Sequence, residues 1–327
     1  MQLPLRYTTF RETLRFFAMD IKIVEQPIAT LAPLGTAGAL GNLRLGGLPW
    51  RQLLEERWVR TLGKAEDLTL TASLSFWPSD ALLEELSALS EDFVVVADDG
   101  TQLASATRIP LKNALGMPLE NPLAPRRAKA SAVTVPPGDS LVVRYPWDLL
   151  AVQEDVLKNA PHGTINGVIN EGSVIDGNLD LGDSSMILPG VYITGNVVIG
   201  QNCLIGPNCT IRGNTSIGDG CRIGQGAEIK NSILMDNVKV PHVAFVGDSI
   251  LANGVDLGAG TMVSNWKHDG ANITSQVGRK QVDTGRDHFG AVIAENVHIG
   301  VNTSIYPGVK ISAGVVSAPA EIIKNDR

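Results

Sequence analysis

The sequence predicts a mainly β chain: a triangular, parallel β-coil of six-residue repeats, preceded by a small α/β domain. Three observations carry this reading. Aliphatic residues recur at every sixth position through much of the second half. Glycine is abundant, with 34 residues, while aromatics make up only 5%. The first half instead alternates short helical and strand-like runs.

The chain has 327 residues, enough for about two domains. It carries 27 Lys and Arg against 34 Asp and Glu, a net charge of −7, which excludes the basic field of a nucleic-acid binder. Hydrophobic residues at 44% and charged residues at 19% support a buried core rather than disorder. The cysteines, Cys203, Cys209 and Cys221, are too few for a disulfide framework and fit a reducing, cytoplasmic compartment. No apolar run reaches the roughly 18 residues of a membrane helix.

Residues 1–18 hold Arg6, Arg11 and Arg15 with little acid. They read as an extension or frayed end rather than a transit peptide, because Met19 opens a plausible strand. Residues 19–145 form the α/β domain. Residues 53–58 read as helix, as do 79–89, with Ser79 or Asp80 as the cap. Residues 93–97 read as a buried strand and Asp98-Asp99-Gly100 as the turn after it. Residues 121–127 and Pro136-Pro137 read as loops. Pro146 suits the first turn of a connecting helix ending near Asn159, within a linker over 146–162.

From 163 to 320 the texture changes. Ile169, Ile175, Leu181, Ile187, Ile193, Ile199, Ile205, Ile211, Ile217, Ile223 and Ile229 are spaced by six. Neither a helix of about 3.6 residues per turn nor a simple hairpin holds that period. Three six-residue faces do. Each turn then closes in about 18 residues, and equivalent residues stack about 4.8 Å apart, the spacing of parallel strands. The aliphatic ladder fills the prism, and glycine relaxes the corners. Cys203 and Cys221, 18 apart, would stack inside it. The sequons at Asn208, Asn214, Asn272 and Asn302 read as Asn-rich corners.

After Ile229 the register slips, resuming at Phe245, Leu251, Leu257 and Val263. Residues 264–289 then interrupt the pattern with a polar insertion, where function is expected because the coil itself needs none of it. The ladder returns at Ile293, Ile299, Ile305 and Ile311, and 321–327 remain as a tail. The histidines, His162, His242, His268, His288 and His298, lack metal-ligand spacing, so no metal site is expected.

Four runs in the coil are more specific: GPNCTIRG (206–213), EIKNS (228–232), VPHVAFVGD (240–248) and GAGTMVSN (258–265). Together they resemble the bifunctional sugar-1-phosphate nucleotidyltransferase / amino-sugar-1-phosphate N-acetyltransferase family. The resemblance covers about residues 163–320. It implies a left-handed parallel β-helix of hexapeptide repeats, assembled as a homotrimer with sites between subunits. His242 would be the general base, taking a proton from the sugar amine as it attacks the thioester of acetyl-CoA. An imidazole, which ordinarily titrates near neutrality, suits that task. Arg212 and Lys230 would hold the sugar phosphate. Asn265 would contact the sugar or orient the amine, and the Ala259 N–H would donate to the thioester oxygen as negative charge develops. CoA would run near Val301 and Ala318, and the insertion would reach over a neighbouring subunit. At two substrate-binding positions the chain departs from the family, with Phe245 for Tyr and Asp256 for Asn. A Lys expected shortly after Asn265 is absent; Ala271 and Thr274 occupy the candidate positions, and Lys267 would substitute.

The first half resembles a shortened sugar nucleotidyltransferase module through LAPL (31–34), LGNLRLGG (40–47), EERW (55–58) and YPWDLL (145–150). Its glycine-rich stretch from Gly35 to Gly47 has no following Lys, and the family's Arg-Pro pair reads Ala37-Gly38 or Gly38-Ala39. This half therefore reads as degenerate, and Mg²⁺ enters only if it is active. The expected function is CoA-dependent N-acetylation of glucosamine- or galactosamine-1-phosphate in nucleotide-sugar synthesis. The alternatives are nucleotidyl transfer by the first half and a non-catalytic sugar-nucleotide-binding scaffold.

Overall fold

The structure, a computed structural model, describes residues 20–24, 31–34, 44–45, 48–62, 68–89, 92–97, 99–107, 131–135, 140–160 and 162–327. The chain divides into two compact units, 1–26 with 51–142 and 27–50 with 143–327. The described residues 31–34, 44–45 and 48–50 thus group with the coil rather than with the α/β domain.

The first unit holds a mixed five-stranded sheet in the order Asp20–Val24, Thr69–Ser73, Gln102–Thr107, Phe93–Val96, Ser131–Thr134. Both expected helices form, as α1 (Trp50–Leu62) and α2 (Asp80–Ala88). Ser79 is the α2 cap: its Oγ accepts the Leu82 N–H at 3.0 Å, satisfying one of the free donors at the helix start. Trp58 and Phe76 are fully buried, their ring centroids 6.2 Å apart. The extension 1–18, the loops at 121–127 and 136–137, Asp98 and most of the Gly35–Gly47 stretch lie outside the described residues.

The second unit is a left-handed parallel β-helix of about nine turns, with helix α3 (Asp148–Asn159) leading into it. Its first face carries Leu204–Ile205, Arg222–Ile223 and Lys239–Val240; its second carries Glu228–Lys230, Phe245–Gly247 and Met262–Val263; its third carries Ile233–Leu234, Ile250–Leu251 and Ala291–Ile293. Ile175, Ile193, Ile211 and Ile229 are consecutive partners, 18 residues apart. The ladder from Leu181 to Ile229 is at most 2% exposed. The first two rungs differ: Ile169 is 36% exposed and Ile175 half-buried, because Val168–Ile169 is an edge strand with a neighbour on one side only. Asn202, Asn208, Asn237, Asn296 and Asn302 turn corners at φ between 51° and 60°, the left-handed region that Asn tolerates.

The register slip falls at the corner between the second and third faces. Arg212 pairs with Lys230, 18 on, but Ser216 pairs with Ile233, 17 on. The two-residue corner Gly213-Asn214 gives way to Asn231 alone at φ 47°, then to Asp248 alone at φ 48°. Ile229 therefore stacks on Val246, not Phe245. Val246 is fully buried and Phe245 faces outward, which corrects the expected ladder.

Val263 pairs with Ile305, 42 residues on, so this turn holds 42 − 18 = 24 extra residues. They leave at Asn265 and return at Phe289, whose N–H donates to Asn265 O at 2.9 Å. Their hairpin, Thr274–Val277 with Lys280–Asp283, is anchored on its own chain. Ile273 is fully buried, Ser275 Oγ donates to Gly308 O at 2.7 Å, and Lys310 Nζ donates to Gln276 O. The last strand, Ile322–Ile323, pairs with Ser304–Ile305, so the coil continues past 320.

The three cysteines are buried free thiols. Burial pushes the Cys209 thiol up to about 12. An unfolded thiol titrates near pH 8.5, so the fold favours the protonated form. That stability is complete below about pH 8.5 and is lost as the pH climbs toward 12. Native protein at pH 8 is expected to leave a disulfide reagent such as dithionitrobenzoate unreacted until denaturant is added. Prompt colour from the folded protein would contradict the buried placement.

Candidate active site

The shortened corner builds the site. Arg212 and Lys230 occupy equivalent outward positions in consecutive turns of the second face, with Gly247 next in the column. Because the corner has lost a residue, Asp248 follows this column directly. Its carboxylate, 3% exposed, turns back along it. Oδ2 accepts from Lys230 Nζ at 3.0 Å and from Asn265 Nδ2 at 2.5 Å, and Oδ1 accepts from Asn231 Nδ2 at 3.0 Å. One buried carboxylate thus orients an ammonium and an amide. An ammonium has three protons, so Lys230, 21% exposed, keeps two for a ligand. Arg212 Nε lies 2.7 Å from Glu228 Oε1, with the two side chains 42% and 37% exposed. Such an open pair is weak and yields readily to a phosphate.

Only glycine fits at 247. A Cβ there would lie 2.6 Å from Asn265 Nδ2 and 2.7 Å from Phe245 Cζ. Phe245 and Asn265 therefore close over the buried Gly247 backbone, next to Lys230 in the column.

The corner between the first and second faces holds a second group. The Gly260 N–H donates to His242 O at 2.9 Å, the Asn302 N–H to Ala259 O at 2.8 Å and the Ala320 N–H to Val301 O at 2.7 Å. His242, Ala259 and Val301 thus stack turn upon turn, with exposed Ala318 packed beneath Gly300. The His242 ring is exposed, and among the described residues neither it nor the Ala259 N–H has a hydrogen-bond partner.

Asp256 joins neither Lys230 nor Asn265. It sits on the first face, its Oδ2 3.0 Å from Lys239 Nζ and its backbone bridged to His298. Lys267 is engaged within the insertion, donating to Asn272 O at 2.8 Å. Sequence reasoning does not single out Asp248 or Gly247, although the slip after Ile229 marks their turn. Among the described residues no group of three or more His, Cys, Asp or Glu side chains is arranged to hold a metal ion, and no helix is long and apolar enough to cross a membrane.

A family model described as the GMPPB C-terminal domain matches residues 193–280, which include Arg212, Lys230, His242, Asp248, Ala259 and Asn265 but not Val301 or Ala318. A bifunctional sugar-1-phosphate nucleotidylyltransferase/acetyltransferase of Sulfurisphaera tokodaii is 34% identical over 181 residues, 55% of this chain and 45% of the relative. The bifunctional protein GlmU of Methanococcus maripaludis is 44% identical over 184 residues, 56% of this chain and 44% of the relative. The chain resembles the bifunctional sugar-1-phosphate nucleotidylyltransferase/acetyltransferase family. It spans less than half the length of these relatives. Among solved structures, a UDP-N-acetylglucosamine acyltransferase from Campylobacter jejuni aligns with 49% of this chain and 68% of its own, at 19% identity and a TM-score of 0.34.

Proposed function

We propose that the chain is a CoA-dependent N-acetyltransferase acting on an amino-sugar 1-phosphate, glucosamine- or galactosamine-1-phosphate, in cytoplasmic nucleotide-sugar synthesis. One observation carries the reading: Asp248 holds Lys230, which lies in line with Arg212, together with Asn265, one corner from an unengaged imidazole. Arg212 and Lys230 bind the phosphate, and Asn265 and Phe245 contact the sugar. The His242 ring takes a proton from the amine as its nitrogen attacks the thioester carbonyl. The Ala259 N–H stabilises the oxyanion. Collapse forms the amide and expels the CoA thiolate, which receives the proton from His242. CoA runs along Val301 and Ala318. The exposed His242 corner meets a neighbouring subunit in a homotrimer. Mg²⁺ is needed only if the α/β half transfers nucleotides.

The test is a thiol-release assay with acetyl-CoA and each of the two sugar phosphates. Sugar-dependent release supports the reading and names the sugar. No release with either sugar moves the weight to a non-catalytic scaffold.

A further inference from the structure

Helix α3 lies across the third face of the coil. Gln153, 1% exposed, fixes it there: Nε2 donates to Asn214 O at 2.8 Å and to Ser232 O at 3.1 Å, and Oε1 accepts from Ser216 Oγ. The next residue is Glu154. With Gln153 held from three sides, the rotation of the helix is set, and the Glu154 carboxylate arrives at the shortened corner.

There its Oε1 accepts from Asn231 Nδ2 at 3.0 Å and from Arg286 Nη2 at 2.6 Å. The Asn231 amide has two N–H groups, and both are used, one on Glu154 and one on Asp248 Oδ1. A flipped amide would set its oxygen against two carboxylates, so the orientation is unambiguous. Arg286 lies at the return of the insertion, where the Ile273 N–H donates to Arg286 O at 2.8 Å. Glu154 therefore has two arms. One runs through Asn231 and Asp248 to Lys230 and Asn265. The other holds the base of the insertion that begins just after Asn265.

We infer that Glu154 on the helix preceding the coil is a positioning residue for the sugar-phosphate site, acting through Asn231 and Asp248 on Lys230 and Asn265. The inference rests on the proposed acetyltransferase reading. Glu154 touches no reacting atom in that reading, and its effect is on where the ammonium and the amide point. It belongs to neither the six-residue repeat nor the insertion.

The test compares wild type, Glu154→Gln and Glu154→Ala in the full chain, with KM measured separately for the sugar phosphate and for acetyl-CoA. Glutamine keeps an acceptor for Asn231 but loses the charge facing Arg286; alanine loses both. Loss of both arms is expected to raise the sugar-phosphate KM about 10-fold, equivalent to one or two net hydrogen bonds. Glutamine should raise it less, and the acetyl-CoA KM should stay put in both. The side chain is 34% exposed, so both variants are expected to fold. Thermal unfolding checks that. An unchanged sugar-phosphate KM in folded Glu154→Ala overturns the inference and leaves the acetyltransferase reading standing. Parallel rises in both KM values also overturn it, since they mark a general structural effect. If wild type turns over neither sugar, each sugar phosphate is titrated calorimetrically. Binding weakened about 10-fold in Glu154→Ala supports the positioning role without turnover. Equal binding overturns it, and absence of wild-type binding overturns it together with the reading on which it rests.

Discussion

His242→Ala is expected to lower kcat for sugar-dependent CoA release by about 10²- to 10⁴-fold, the usual contribution of a positioned general base. The structure makes this a clean test. Within its own subunit the ring is exposed and bonded to nothing among the described residues, so its removal leaves no cavity and no orphaned partner there. Stability should move by no more than about 0.5 kcal/mol, as for an ordinary surface substitution. Acetyl-CoA binding should persist, because the Ala259 and Val301 backbone that stacks on this corner is untouched. A steady-state assay paired with a melting curve therefore separates chemistry from folding. A variant retaining most of its kcat would place the base elsewhere and leave His242 as a corner residue.

Asp248→Asn should weaken both the fold and sugar-phosphate binding. Asp248 sits at φ 48° and is 2% exposed. Asn adopts that backbone conformation as readily as Asp, so the substitution isolates the charge. Among the described residues the carboxylate's hydrogen-bond partners are all donors: Lys230, Asn231 and Asn265. An amide in its place must turn one of its own N–H groups against a donor, and Lys230 loses its countercharge. The expected cost is about 2–4 kcal/mol of stability, the range for a broken buried charge network. It is readable from urea unfolding. If the ammonium and amide then lose their common anchor, the sugar-phosphate KM should rise about 10- to 100-fold, or about 1.4–2.8 kcal/mol. An Asp248→Asn protein with wild-type stability and wild-type KM would show that the carboxylate organises nothing.

The coil was legible because its interior admits so little variety. Each rung lies inside a narrow prism, so an aliphatic side chain is required at every sixth position, and the period appears in the residues themselves. The slip after Ile229 was legible as an interruption, but its size was not. Phe245 and Val246 are neighbours and both apolar, so either fits a ladder read from hydrophobicity alone. Pairing with Ile229 decides for Val246 and turns Phe245 outward, beside Asn265 and Gly247. Asp256 shows the opposite case. The resemblance implies a substrate contact there, and the structure places it on the first face, paired with Lys239.

By itself, then, the sequence determined the β-helix, its 18-residue turns, the place of the insertion and the residue types at the candidate site. These follow from periodicity and from chemistry local to each segment. Only the tertiary structure decided which side chains meet. Losing one residue at a corner brings Asp248 onto Lys230, and a glutamine locked against the third face delivers Glu154 to Asn231. Glu154 and Asn231 are 77 residues apart in the chain, and such contacts leave no periodic trace. They depend on how many residues each turn contains and on how a helix is rotated against a sheet, and both are settled by packing.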